Sequence, residues 1–367
     1  MTDPSAGPTV EEVTAAAYTV PTDGPEADGT LAWDSTTMIV VQARAGGVVG
    51  TGWTWAPAAA AQVVRDLLAP VVVGGSALAP RVAYGAMTAA VRNAGRAGLV
   101  GMALSAVDIA LWDLGARVLE VPLLTWWGAQ PGPVPVYGSG GFTTYTDDRL
   151  RDQLTGWAEL GLPRMKIKIG ESWGRCERRD LERTALARET IGDDVELYVD
   201  ANGAYRAGQA VRVGHALDDL DVRWFEEPVS SEDIAGLRRV RAQVRAEVTA
   251  GEYVWTAADA ARLAPVVDCL QLDVTRCGGY TAWLEIAAIA AAHGLELSGH
   301  CAPYLSVPVA AATRNLRHLE WFHDHVRIVR ELVDGVAEPV DGALRPAPGP
   351  GHGLRLRHRE AERYRVA

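Results

Sequence analysis

Cysteine is scarce in this sequence, and its spacing argues against several kinds of site. The 367 residues contain only Cys176, Cys269, Cys277 and Cys301, and no two of these form a CxxC pair. Zinc knuckles and dithiol redox motifs use such pairs, so neither is expected. Few cysteines in a long chain are typical of a reducing cytoplasm, which is the location we predict. For Cys301 we predict a packing role, because nothing else in the sequence suggests acyl transfer.

An excess of basic residues is also absent. Lysine and arginine total 35 against 46 acidic residues, which gives a formal net charge of −11. Nucleic-acid binding relies on basic patches, so we expect a small-molecule partner instead. The first residues lack a basic segment followed by an apolar run, and no uncharged apolar stretch of about 18 residues occurs, so neither a signal peptide nor a membrane span is expected.

The length and the strand patterns point to a barrel with a second domain. Two strand patterns, Thr37–Arg44 and Val48–Trp55, precede three helical patterns at about 58–68, 82–96 and 102–118. From residue 134 onward, strand patterns alternate with apolar helical stretches, as in parallel βα units. The eight strand patterns cover residues 134–138, 164–169, 196–200, 222–226, 248–252, 269–273, 295–299 and 318–321. We therefore predict an α/β fold with three parts. These are an α+β capping domain (1–130), a parallel barrel of the TIM type (131–340) and a C-terminal segment (341–367) that returns to the capping domain.

Three acidic residues lie at equal steps along the chain, each at the end of a predicted strand. Asp200, Glu226 and Glu252 are separated by 26 residues each. A barrel of ~250 residues has eight βα units, so this step is about one unit long. Three consecutive strands would then bring one carboxylate each to the same rim. Three oxygen ligands without a thiolate are typical of a hard cation, and we predict Mg²⁺.

The other predicted strands also end in polar side chains, at the end of the barrel where chemistry is found. Lys166 and Lys168 alternate along the second strand, so both lie on the same face. Asn202 follows the third strand and could contact substrate or, alternatively, support the neighbouring carboxylate. The sixth, seventh and eighth strands end near Asp273, His300 and Glu320.

These residue types suit the removal of a proton next to a carboxylate. A divalent cation would stabilise the two negative charges of the resulting enediolate. Lys166 is expected to lower the pKa of Lys168 by like-charge repulsion, so that Lys168 can act as a general base. His300 would face Lys168 from five strands away, and Asp273 would orient the imidazole. Glu320, if protonated, could donate a hydrogen bond to the intermediate.

Taken in order, these motifs resemble the mandelate racemase subgroup of the enolase superfamily, over nearly the whole chain. The motifs that carry the resemblance are Lys166-Ile167-Lys168, Asp200-Ala201-Asn202, Glu226-Glu227-Pro228, Gly251-Glu252, Asp273 and His300. The resemblance implies an α+β capping domain on a modified (β/α)₇β barrel and a homo-oligomer. It also implies Mg²⁺ at Asp200, Glu226 and Glu252, a Lys168 base, a His300–Asp273 dyad on the opposite face, and Glu320 as the electrophilic acid.

Two reactions share this first step. Loss of a 3-hydroxyl converts a sugar acid to a 2-keto-3-deoxy acid, whereas return of the proton on the other face makes a racemase or epimerase of 2-hydroxy acids. We favour dehydration, because many members that resemble this chain are acid-sugar dehydratases and because the capping segment Thr22–Gly29 is polar. A catalytically silent ligand-binding barrel remains a hypothesis of a different class. A lactonising enzyme is less favoured, since such relatives typically carry a lysine where His300 stands.

Overall fold

An antiparallel three-stranded sheet begins the fold. The computed structural model describes residues 7–367, and its first sheet consists of β1 (Glu12–Ala27), β2 (Ala32–Ala45) and β3 (Val48–Trp55), paired in that order. The β2–β3 hairpin was predicted, although β2 begins earlier than expected. Strand β1 was missed, because Pro21 and the residues after it have the composition of a turn. The structure continues the strand through them and shifts the β1–β2 register between Pro21 and Glu26.

Helices follow the sheet and cover one of its faces. They are Ala59–Val63, the π-helical turn Val64–Leu68, Ala69–Val72, Pro80–Ala90, Leu99–Val118 and Leu123–Trp126. The helix Leu99–Val118 packs closely on β3, where a Cβ atom on Gly50 or Gly52 would lie 2.3 Å from a backbone oxygen of the helix. This helix is long and apolar enough to cross a membrane, but 89% of its most apolar window is buried inside the protein. It is therefore the central core helix of the N-terminal part.

Eight parallel strands then form a closed barrel. They are β4 (Val134–Gly140), β5 (Arg164–Lys168), β6 (Glu196–Asp200), β7 (Val222–Glu226), β8 (Glu247–Ala250), β9 (Cys269–Leu272), β10 (Glu296–Gly299) and β11 (Leu316–Phe322). Neighbours in sequence are neighbours in the sheet, and β11 pairs with β4 to close the ring. The predicted parallel barrel with an N-terminal cap is thus confirmed, and β6 and β7 have the predicted bounds. Because Lys168 pairs with Asp200 and Asp200 with Glu226 in the register, these residues end their strands at one level.

Helices outside the ring connect the strands. They are Asp147–Glu159, Glu171–Gly174, Glu177–Ile191, Ala207–Asp218, Ile234–Arg241, Ala257–Leu263, the 3₁₀ turn Ala264–Val266, Gly279–Ala292, Pro303–Ala311 and His323–Leu332. Capping side chains define some of their starts. Thr146, for example, accepts a hydrogen bond from the backbone N–H of Arg149 at the start of its helix.

The last residues contact both parts of the molecule. Short strands β12 (Val333–Asp334) and β14 (Arg355–Leu356) pair with each other, and β13 (Ala343–Leu344) adds to the barrel beside β4. The short helix His358–Ala361 and the 3₁₀ turn Glu362–Tyr364 follow. His352 reaches the carbonyl oxygen of Thr51 in β3 at 2.7 Å. We keep the division at residues 130 and 340 as a proposal.

Candidate active site

Three carboxylates converge at the C-terminal end of the barrel strands. Asp200 and Glu226 end β6 and β7, and Glu252 follows β8. Each offers an oxygen that lies within 4.8 Å of the others, and all three side chains are buried. The equal spacing in the sequence therefore corresponds to three adjacent strands that end at one rim.

This carboxylate trio fits a hard divalent cation such as Mg²⁺. The Oε2 atom of Glu252 is buried and has no hydrogen-bond partner among the described residues. An unpartnered carboxylate oxygen is costly in a protein interior, and a cation at this point would satisfy it. The ligand atoms are all oxygens, which is the donor set that Mg²⁺ prefers. Asp200, Glu226 and Glu252 can therefore hold the ion together.

The sequence has two lysines, and both lie in this site. Lys166 is fully buried, and its Nζ lies 2.7 Å from each carboxylate oxygen of Glu226 and 2.8 Å from Oε1 of Glu320. Lys168 donates to Oδ2 of Asp200. Lysine occurs at no other position in the sequence, so the lysine count alone already indicates a special role for both residues.

The expected direction of the Lys168 pKa was wrong. Burial would lower the pKa of Lys168, but the Asp200 carboxylate, together with Glu320 and Glu226, outweighs burial and raises it above the usual lysine value. Repulsion from Lys166 opposes this rise and is smaller. Two neighbouring lysines predict mutual repulsion, whereas the strand register places the Asp200 carboxylate beside Lys168.

A histidine and an aspartate form a hydrogen-bonded pair on the other side of the trio. Nδ1 of His300 lies 2.8 Å from Oδ2 of Asp273. The backbone N–H and the hydroxyl of Thr275 donate to the other Asp273 oxygen at 2.7 and 2.6 Å, so this carboxylate is held firmly. Burial would lower the pKa of His300, but Glu252, Glu320 and Asp273 raise it above the usual histidine value.

The lysine and the histidine lie at opposite ends of the trio. Lys168 contacts Asp200, the first carboxylate in the ring, while Nε2 of His300 lies 3.4 Å from Oε2 of Glu252, the last. The strands that carry them, β5 and β10, are five steps apart in one direction around the ring and three in the other. Two groups that can transfer protons therefore lie on either side of the candidate metal site.

The contacts around Glu320 favour its ionised form, whereas the predicted hydrogen-bond donation requires a protonated carboxyl group. Its pKa is lowered well below the usual value, because Lys166, His300 and Lys168 together outweigh the effect of burial. As an ionised carboxylate it accepts hydrogen bonds from the Ser139 hydroxyl (2.6 Å) and from the backbone N–H of Cys301 (2.8 Å).

Arg276, which was not among the predicted site residues, adds a positive charge beside Glu252 and Asp273. Arg276 donates to Oε1 of Glu252 at 2.9 Å, and its Nε lies 3.5 Å from Oδ2 of Asp273. Burial would raise the pKa of Glu252, but His300 and Arg276 lower it to about 2. Its position three residues after Asp273 was the one sequence feature that could have suggested it.

Two turn residues bring further polar atoms to the rim. The backbone N–H of Asn202 donates to Oδ1 of Asp200 at 2.8 Å, and the Asn202 side-chain oxygen is buried without a partner among the described residues. Burial and the neighbouring Glu252 raise the pKa of Glu227 well above its usual value. Substrate binding by Asn202 stays a prediction.

The polar segment that we predicted in the cap reaches the barrel mouth. Asp23 lies 2.8 Å from Arg149 and 2.9 Å from His323, which follows β11. Glu26 is buried, and one of its oxygens accepts a hydrogen bond from the Trp33 indole at 2.8 Å. His323 and His325 belong to a helix, and His325 stacks on Trp55 of β3 with ring centroids 3.9 Å apart.

Comparison with known protein families covers both parts of the chain. The model of the mandelate racemase / muconate lactonizing enzyme N-terminal domain matches residues 12–128. The model of the enolase C-terminal domain-like family matches residues 149–361.

Known relatives and solved structures agree with these matches. The L-talarate/galactarate dehydratase of Salmonella typhimurium is 32% identical over 249 residues, which cover 66% of this chain and 62% of that enzyme. The 3,6-anhydro-alpha-L-galactonate cycloisomerase of Streptomyces coelicolor is 30% identical over 321 residues, 84% of this chain and 86% of the relative.

A mandelate racemase/muconate lactonizing enzyme-like protein from Rubrobacter xylanophilus superposes with a TM-score of 0.95 at 49% identity and covers 98% of this chain and 100% of that one. The Salmonella dehydratase, solved with Mg and L-lyxarohydroxamate, gives a TM-score of 0.90 at 26% identity and covers 100% and 95%.

Proposed function

The chain belongs to the mandelate racemase/muconate lactonizing enzyme family of the enolase superfamily, and we propose that it dehydrates a sugar acid to a 2-keto-3-deoxy acid. The observation that carries this proposal is the position of Lys168 and His300 at opposite ends of the carboxylate trio. One proton-transfer group can serve the α-carbon while the other serves the leaving hydroxyl. Relatives that act on acid sugars support the same reading.

The proposed reaction breaks a C–H bond and then a C–O bond. Lys168 Nζ takes the proton from the carbon next to the substrate carboxylate, and the electron pair moves into the carboxylate to give an enediolate. His300, whose raised pKa favours the charged imidazole, then donates its Nε2 proton to the 3-hydroxyl. The enediolate electrons expel that group as water. The resulting enol becomes the 2-keto acid.

The remaining residues stabilise the negative charge of the enediolate and orient His300. Mg²⁺, held by Asp200, Glu226 and Glu252, would supply positive charge beside the substrate carboxylate and offset the negative charge that raises the pKa of Lys168. Lys166 adds a second, fixed positive charge at a fully buried position. Asp273 holds the tautomer of His300 that leaves Nε2 free.

The cap supports a hydroxylated substrate. Asp23 and Glu26 place carboxyl groups near the barrel mouth, and carboxyl oxygens can accept hydrogen bonds from the hydroxyl groups of a substrate. One Glu26 oxygen has no partner among the described residues.

Racemisation or epimerisation of a 2-hydroxy acid is the second candidate. It would use the same two groups on either side of the α-carbon, without loss of the hydroxyl. Which of the two occurs depends on whether His300 delivers its proton to oxygen or to carbon.

Proton NMR in D₂O separates these possibilities. The Mg²⁺-loaded protein is incubated with a panel of mono- and diacid sugars, and the α-proton signal is followed. For the wild type we expect loss of this signal together with a keto-deoxy product. Exchange of the α-proton without elimination would indicate epimerisation instead of dehydration. Lys168→Ala and His300→Asn are expected to abolish turnover. Arg178→Ala, which removes a highly exposed cation on a barrel helix, serves as the control. If no acid on the panel exchanges, the silent-barrel hypothesis takes precedence.

A further inference from the structure

A second group of potential metal ligands lies beside the trio and contains a thiol. Nε2 of His300 lies 3.4 Å from Sγ of Cys301 and 3.7 Å from Oε2 of Glu320. One ligand atom from each of these three residues lies within 4.8 Å of the other two, and all three residues are buried. The proposed reaction assigns no role to the Cys301 sulfur.

Two of the three separations are close to those of a tetrahedral zinc site. With Zn–S near 2.3 Å and Zn–N near 2.0–2.1 Å, a tetrahedral angle sets nitrogen and sulfur about 3.6 Å apart. The same construction with Zn–O near 2.0–2.2 Å sets nitrogen and oxygen about 3.4 Å apart. The observed 3.4 and 3.7 Å differ from these by a few tenths of an ångström. Small side-chain shifts would therefore bring these two pairs of ligand atoms to the tetrahedral separations.

The surroundings of these ligands also favour a metal. Asp273 binds Nδ1 of His300, and such a carboxylate–histidine pair fixes the ring so that Nε2 can act as the ligand. The backbone N–H of Cys301 donates to Glu320, which holds the carboxylate next to the thiol. Cys301 has a φ of +45°, a backbone conformation that is uncommon for a residue with a side chain.

The ligand chemistry differs from that of the trio. A thiolate and an imidazole suit Zn²⁺ and similarly soft ions, whereas Mg²⁺ avoids sulfur and binds oxygen. One thiolate and one carboxylate would also balance the two positive charges of the ion. The two adjacent groups of potential ligands at the barrel rim thus suit different cations.

We propose that His300, Cys301 and Glu320 form an inhibitory site for a thiophilic divalent cation such as Zn²⁺. Binding releases the thiol proton of Cys301 and the Nε2 proton of His300 to solvent and forms metal–sulfur, metal–nitrogen and metal–oxygen bonds, with no change of oxidation state. The bound ion occupies Nε2 of His300, so this atom can no longer transfer a proton. The site requires only these three side chains and does not depend on which acid is the substrate.

Titration with Co²⁺ tests the site without any turnover. Protein saturated with Mg²⁺ is titrated with Co²⁺ while the near-ultraviolet thiolate-to-cobalt charge-transfer band is followed. Cobalt that enters the oxygen-only trio gives no such band. We expect the band to saturate at one thiolate-bound Co²⁺ per chain in the wild type and to disappear in Cys301→Ser. It should persist in Cys269→Ser, which alters a buried cysteine of strand β9 outside the proposed site.

Two outcomes would overturn the proposal. These are a wild type without a thiolate band, and a band that survives in Cys301→Ser. Thermal melting in Mg²⁺ shows whether each variant is folded. If a variant does not fold, the presence or absence of the thiolate band in the wild type still tests the proposal. The inhibitory role has a separate test with any acid whose α-proton exchanges. Zn²⁺ should stop exchange in the wild type and lose this effect in Cys301→Ser, whereas equal inhibition of both would refute it.

Discussion

Replacing Lys166 with methionine should destabilise the metal-free protein. Methionine keeps the length of the side chain but removes the cation that lies within 2.8 Å of Glu226 and Glu320 and 3.7 Å from Asp200. Removing one partner of a buried ion pair typically costs about 3–5 kcal/mol, because the remaining charges stay buried and uncompensated. For 367 residues the unfolding entropy is ~0.8 kcal/mol/K, so the melting temperature should fall by about 4–6 °C.

Magnesium should reverse much of this loss, since a cation in the trio replaces part of the missing charge. At a concentration of 100 Kd a bound ion stabilises the folded state by about 2.7 kcal/mol, and the variant should gain more than the wild type. Calorimetry with EDTA and then with Mg²⁺ measures both effects. Lys168→Met is the matched control. Its cation directly contacts one carboxylate, so we expect a smaller loss. Equal melting temperatures for the wild type and Lys166→Met in EDTA, or equal shifts with Mg²⁺, would refute this account of the charges.

Two further predictions concern the cap. Burial and the nearby Asp324 raise the pKa of Glu26 from 4.5 to about 8, so the folded state holds a proton that the unfolded chain releases in that range. Wild-type stability should therefore fall relative to Glu26→Gln as the pH rises from 4.5 to 8. Glu12→Gln, on the same strand, is the control and should not become more stable relative to the wild type over this pH range. Urea unfolding measures these differences, and a difference between Glu26→Gln and the wild type that stays constant with pH would contradict the prediction. Gly29→Ala should displace the capping segment and reduce turnover while Mg²⁺ binding persists, because its Cβ would lie 2.7–2.9 Å from three backbone oxygens of the barrel mouth. Gly156→Ala, whose added Cβ would meet nothing within 4 Å beyond its chain neighbours and the nearby backbone of its own helix, should leave turnover unchanged and stabilise this helix by about 0.5–1 kcal/mol.

The barrel could be predicted because its strands are short, apolar and regularly spaced. Asp200 and Glu226 end β6 and β7 as expected, since an acidic residue after a buried strand marks the rim of a parallel sheet. Strand β1 was missed for the opposite reason. Its composition around Pro21 is that of a turn, and only pairing with β2 keeps it extended.

The protonation states could not be predicted, because they depend on neighbours that are distant in sequence. Lys168 lies beside Asp200 through strand pairing, and Glu320 approaches Lys166 only because β11 closes the ring near β5. The first contact raises the pKa of Lys168 and the second lowers the pKa of Glu320, and both directions are opposite to those expected. The cytoplasmic location and the homo-oligomer remain predictions.

The position of both lysines on β5 makes this strand a natural reporter of unfolding. A protease that cleaves only after lysine has two target bonds in the whole chain, after Lys166 and after Lys168, and both side chains are buried in the closed barrel. Cleavage must therefore wait until β5 leaves its neighbours β4 and β6. The digest would produce two large fragments, residues 1–166 or 1–168 and the remainder, from a chain that had opened its barrel. Brief exposure to such a protease would count the open molecules in a population directly, with no label and no spectroscopic probe.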